Sequence, residues 1–173
     1  DYNEKQRGLL RLAIAGIAKE VTSQYFNNEV VGLGSNHYVV LFNTVTSKTE
    51  KRDFNNIITT IIRKMQEKTR DQLEITLSAA IGYPTKGLDK LSKLYSDTLA
   101  LSMYRILQGS QSLLFPEFLS QVNHDHFRFP ASKEKILLDS VKLGNTKKVR
   151  IVYNEIITAV SGYSYANIRA SIE

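Results

Sequence analysis

The stretch Val31-Gly32-Leu33-Gly34-Ser35-Asn36-His37-Tyr38-Val39-Val40-Leu41 decides the fold. Residues 29–33 and 37–42 are short runs rich in β-branched and aromatic side chains. Between them stand Gly34, Ser35 and Asn36, residue types that close a tight turn. Two such runs around such a turn predict an antiparallel hairpin.

Outward from this hairpin, both flanks are helical. Upstream, Leu9, Leu10, Ala13, Ile14, Ile17, Ala18 and Val21 recur at the spacing of one helix face, predicting a helix over 6–26 that Asn27-Asn28 ends. Downstream, 43–51 is polar loop. A helix over 53–69 follows, with Phe54, Ile57, Ile58, Ile61, Ile62 and Met65 on its buried side. Residues 74–81 read as a strand, stopped by Gly82 and by Pro84, which biases Tyr83 towards extended geometry. Over 88–107, Leu88, Leu91, Leu94, Tyr95, Leu99, Met103 and Leu107 share one face, and Gly109 is placed to end that helix. Residues 112–115 form a last short strand. The order α-β-β-α-β-α-β is that of an α+β domain, an antiparallel sheet with flanking helices.

Past Phe115 the strand patterns stop. Pro130 precedes a helix carrying Ile136, Leu137, Leu138 and Val141 and closed by Gly144. Asn145 caps a second with Val149, Val152, Ile156, Ile157 and Val160, and Ser164 starts a third. The division falls at about residue 120: an α+β domain over 1–120 and a helical connector over 121–173. The chain opens at Asp1 without methionine and ends in mid-pattern at Ile172-Glu173, which reads as a segment of something longer.

Composition narrows the function. The chain has 173 residues, 42% hydrophobic and 23% charged, enough for a buried core. No apolar run reaches the ~20 residues that span a bilayer. With no cysteine there are no disulfides, thiolate metal sites or cysteine nucleophiles, and the chain suits a reducing cytoplasm. The net charge is +6, with 16 basic and 13 acidic side chains up to residue 129, and 7 and 4 beyond it. Only Lys147-Lys148-x-Arg150 forms a basic cluster, a candidate contact for DNA or a partner. A solvated helix face explains such a cluster more often.

The quoted stretch also resembles the turn of a GGDEF-type diguanylate cyclase domain, with Gly34-Ser35-Asn36-His37-Tyr38 at the signature positions. Ile75-Thr76-Leu77-Ser78-Ala79-Ala80-Ile81-Gly82 resembles that family's next strand. Tyr95-Ser96-Asp97-Thr98-Leu99-Ala100-Leu101 through Gln108-Gly109 resembles the following helix, and Leu113-Leu114-Phe115 its last strand. The Tyr104-Arg105 pair is like that of degenerate versions found inside bacterial AraC-type (AraC/XylS family) transcriptional regulators. Phe129-Pro130, Glu134, Leu137-Leu138, Val141 and Gly144-Asn145 resemble the helical segment that such regulators place before their helix-turn-helix domain. The resemblance covers nearly the whole chain.

It implies a domain that has lost its chemistry. A cyclase of this family holds two magnesium ions on anionic oxygens. Here the acidic pair of the signature is replaced by Asn36 and His37, and its second glycine by Ser35. A neutral amide and an imidazole are poor magnesium ligands. The family's product-inhibition site would need Arg and Asp at Tyr25 and Asn28. The fold also begins with a strand bearing another metal-binding aspartate, so that strand is expected upstream of Asp1. No catalytic residue, cofactor or metal site is therefore expected.

The remaining candidates are weaker. His37 could be a ligand or a pH switch, and is more simply a hairpin residue. His124-Asp125-His126 hints at a transition metal, without the second cluster a site needs. Gly32-x-Gly34 lies in a hairpin rather than before a helix, the wrong place for a phosphate cradle. Tyr95, Met103 and Tyr104 read as core. The leading reading is a dimerising regulatory region, cytoplasmic, in a protein that can be membrane-tethered through its sensor. It would be a homodimer whose DNA contacts come from a domain outside this stretch. The alternatives are a sensor for an unidentified small-molecule ligand, a residual cyclase, and direct DNA binding through Lys147, Lys148 and Arg150.

Overall fold

The computed structural model describes residues 3–34, 36–44, 51–123 and 129–172. These are mostly helical with little sheet, a mixed helix-and-sheet architecture. The chain packs as two units, one formed by residues 1–79 with 110–113, the other by 80–109 with 114–173.

The first unit holds α1 (Glu4–Ser23), β1 (Asn28–Gly34), β2 (His37–Phe42) and α2 (Lys51–Leu73). α1 opens on a reciprocal cap: Asn3 Oδ1 accepts the Gln6 N–H and Gln6 Oε1 accepts the Asn3 N–H, both at 2.9 Å. Its buried face is Ile14, Ile17, Ala18, Val21 and Thr22, while Leu9, expected on that face, stays exposed. On α2 the buried residues Phe54, Ile58, Ile61, Met65 and Thr69 recur every three or four positions. Each large side chain buried this way stabilises by about 1.5–3 kcal/mol. The two buried threonines donate to the carbonyl one turn back, Thr22 to Ala18 and Thr69 to Met65, each at 2.6 Å. A hydroxyl can thus lie in the core without an orphaned donor. Phe42 stacks on Phe26 and meets Phe54, joining the hairpin to the foot of α2.

In the second unit, β3 (Ala79–Ala80, which the division crosses) leads to a 3-10 turn (Leu88–Lys90), α3 (Leu91–Ser102) and α4 (Arg105–Gln108). After β4 (Leu113–Leu114) come a 3-10 segment (Pro116–Gln121), α5 (Ala131–Lys142), α6 (Thr146–Val160) and α7 (Tyr165–Ile172). One core gathers Leu101, Tyr104, Leu114 and Val122 with Phe118, Leu119 and Tyr165 around them. Another gathers Val152, Ile156, Val160 and Ile168, covered by Phe129, Leu137 and Tyr163. Leu107 packs against both.

Two expectations need correction. The single antiparallel sheet is replaced by two pairs, β1 with β2 and β3 with β4. The strand expected over 74–81 contracts to Ala79–Ala80, and Glu74 sits at φ 56. β structure needs a ladder, and only this short stretch finds one: Ala79 N–H bonds Ser112 C=O and Ile81 N–H bonds Leu114 C=O, each at 2.9 Å. The helix expected over 88–107 is broken. Met103 and Tyr104 donate to the carbonyls of Ala100 and Leu101, three residues back, so the coil tightens there. This turns Leu101 and Tyr104 together into the core. Leu88 is left 84% exposed and Tyr95 is exposed, while Met103 is half-buried.

Among the described residues no helix is long and apolar enough to cross a membrane.

Candidate functional site

The signature-like turn is built by pairing. Asn28, Glu29, Val30, Val31 and Gly32 face Phe42, Leu41, Val40, Val39 and Tyr38, and Gly34 faces His37. The register slips between Gly32 and Gly34, leaving Leu33 as the extra residue of a bulge, half exposed. Gly34 has φ 80 and Asn36 φ 61. The left-handed region accepts glycine freely and asparagine at small cost, so these residue types are what the bend requires. Ser35 lies outside the described residues.

Tyr38 fixes the turn against α1. Its hydroxyl donates to the Arg11 carbonyl at 3.3 Å, and its ring lies beside Gly32. Burial raises the Tyr38 pKa above the usual phenol value, and the Arg11 charge pulls it partly back. Asn36 is exposed and His37 is half-buried. Positions 34–38 carry no carboxylate. Among the described residues no group of three His, Cys, Asp or Glu could hold a metal ion.

The positions at which the resemblance implies a product-inhibition pair, Tyr25 and Asn28, hold other chemistry. The Lys64 ammonium lies 5.1 Å from the centroid of the Tyr25 ring and donates to its hydroxyl at 2.5 Å. Asn28 donates its side-chain amide to the Phe26 carbonyl, two residues back, at 3.1 Å. Neither offers a guanidinium or a carboxylate to a guanine base. The His124-Asp125-His126 run lies outside the described residues.

The basic cluster belongs to the α5–α6 hairpin of the second unit. Gly144, at φ 68, closes α5, and Asn145 Oδ1 caps α6 by accepting the Lys148 N–H at 3.1 Å. Val152, Ile156 and Val160 are buried on α6, so its other faces are free for charge. Lys147, Lys148 and Arg150 are all exposed, and α6 has no acidic residue in its first turn. Arg150, unlike the two lysines, lines a shallow groove with Val141, Gly144, Thr146, Val149 and Tyr153. Val141 and Tyr153 are more than half exposed. Sequence reasoning found the three basic residues and missed the groove. Its signal was present, in the helical spacing of Leu138 with Val141 and of Val149 and Arg150 with Tyr153.

One further contact had no sequence signal. The Tyr104 hydroxyl accepts the backbone N–H of Tyr165 at 3.0 Å, and the two rings meet edge to face.

No known family's sequence model matches the chain, and no solved structure matches it. The chain is similar to an uncharacterized HTH-type transcriptional regulator, YtdP, of Bacillus subtilis (strain 168). They are 27% identical over 110 residues, which is 64% of this chain and 14% of that protein.

Proposed function

We propose that this chain is a catalytically silent, dimerising region of an AraC-type transcription regulator, built on a degenerate GGDEF-like domain. It couples an upstream input to a DNA-binding domain elsewhere in the parent protein. The observation that carries this reading is the similarity, over 64% of the chain, to an HTH-type transcriptional regulator. The turn chemistry supports it: an exposed amide and an imidazole stand where magnesium catalysis needs anionic oxygen. Tyr38, hydrogen-bonded to the Arg11 carbonyl, ties the turn to α1.

Dimerisation is assigned to exposed apolar side chains outside the groove lining: Ile136 of α5, Leu143 just past its end, and Ile151 of α6. Pairing two copies there would set the distance between two attached DNA readers, and half-site spacing is what such dimers select. Sedimentation analysis tests this. A dimer is expected, and Ile136→Asp with Ile151→Asp should make it monomeric. A monomeric parent chain would reject this assignment. The coding sequence beyond Glu173 tests the family: it should give two short helices, a tight turn and a basic recognition helix.

A further inference from the structure

The second unit has two cores, and one short stretch of chain enters both. Tyr163 packs against the core of Val152, Ile156 and Val160, Tyr165 against the core of Leu101, Tyr104, Leu114 and Val122, and Ile168 belongs to the first again. Tyr165 and Ile168 stand three residues apart on α7, so they are neighbours on its surface and one helical turn fixes the distance between them. Hydrogen bonds hold the same stretch. The Tyr104 hydroxyl accepts the Tyr165 N–H at 3.0 Å. Asn123, next to buried Val122, donates its N–H to the Gly162 carbonyl at 2.7 Å and accepts the Ser164 N–H at 2.9 Å. Ser164 is itself buried, and its hydroxyl accepts the Asn167 N–H at 3.2 Å while its carbonyl accepts the Ile168 N–H at 3.0 Å.

We infer that residues 162–168 are a strap that makes the two cores loosen together, so that α6 cannot open while α3 stays packed. Close-packed side chains transmit displacement, because neither core has room to absorb it. Leu107 also meets both cores through its side chain. The strap adds hydrogen bonds, which weaken steeply when the partners move out of line. Broken while the segment is still buried, they would leave polar backbone groups without partners. The strap has a use in the proposed role, since Ile136 and Ile151 stand on α5 and α6. A change in the packing of α3 would reach them through it. The coupling itself is a property of one chain, and it holds whether or not two chains pair.

Hydrogen exchange on the whole chain tests this, read at the Leu101 amide in α3 and the Val152 amide in α6. Ile156→Val removes one methylene from the α6 core. It should speed exchange at both amides by the same factor, about threefold to tenfold, and leave Ile58 and Ile61 of the other unit unchanged. The strap is then cut by Tyr104→Phe with Tyr165→Ala, which touch the other core. In that background Ile156→Val should still speed Val152 and no longer reach Leu101. If the cut chain does not fold by circular dichroism, Tyr104→Phe alone serves, and the factor at Leu101 should fall below that at Val152. Two results overturn the proposal. If Ile156→Val spares Leu101 in the otherwise unaltered chain, the cores are independent. If it reaches Leu101 undiminished after the cut, the coupling runs elsewhere, as through Leu107.

Discussion

The hydroxyl of Tyr104 accepts the backbone N–H of Tyr165 at 3.0 Å, across 61 residues of sequence. It satisfies a donor in the first turn of α7, where helices leave N–H groups without partners. Around it, Asn123 makes two further backbone bonds: its N–H donates to the Gly162 carbonyl at 2.7 Å, and its carbonyl accepts the Ser164 N–H at 2.9 Å. The start of α7 is therefore tied to the core of Leu101, Tyr104 and Leu114 rather than left to fray.

Tyr104→Phe keeps the ring contacts with Phe118 and Tyr165 and deletes only the acceptor. The expected loss is about 1 kcal/mol of stability. Hydrogen exchange should show it as faster exchange at the Tyr165 amide, with Ile58 and Ile61 in the other unit unaffected. Tyr104→Ala removes the buried ring as well and should cost about 3–5 kcal/mol.

Tyr38 gives a pH signature. Its folded pKa is raised, chiefly by burial, so the fold favours the protonated phenol. The stability this contributes is fully present below the unfolded pKa, near 10, and is lost as pH rises through the higher folded value. Denaturation midpoints taken on either side of that range should fall with pH, and the fall should be shallower in Tyr38→Phe. An identical pH profile in the variant would remove Tyr38 from the account of the turn.

Gln66 is the peg of the first unit. Its amide donates to the carbonyls of Leu77 at 2.9 Å and Gln111 at 3.0 Å, holding segments far apart in sequence. Gln66→Leu should cost about 1–3 kcal/mol, because two carbonyls lose their donor. Gln66→Glu should be worse at neutral pH, where a carboxylate cannot donate, and should partly recover in acid as it protonates near pH 4. Urea unfolding at both pH values reads the difference.

What the sequence made legible follows from period and turn chemistry. Gly34 and Asn36 announced the bend, and helical spacing placed Ile14, Ile17, Ile58, Ile61, Val152 and Ile156 in cores. Both signals are local. The strand over 74–81 failed because strand formation depends on a partner, and only Ala79–Ala80 has one. The unbroken helix over 88–107 failed because apolar spacing does not show where a coil tightens to turn Tyr104 inwards. Of the candidate sites, the basic cluster was legible as composition. The groove beside it left only the helical spacing of Val149, Arg150 and Tyr153 as a signal, and it forms only once α5 packs against α6.

The central claim is that the turn at Gly34–Tyr38 supports no divalent-ion chemistry. The direct measurement is incubation of the chain with GTP and magnesium, with chromatography of the nucleotides. The account predicts unchanged GTP and no dinucleotide, and it predicts the same for the Asn36→Ala variant. Linear or cyclic diguanylate formed by the chain and abolished by Asn36→Ala would contradict it.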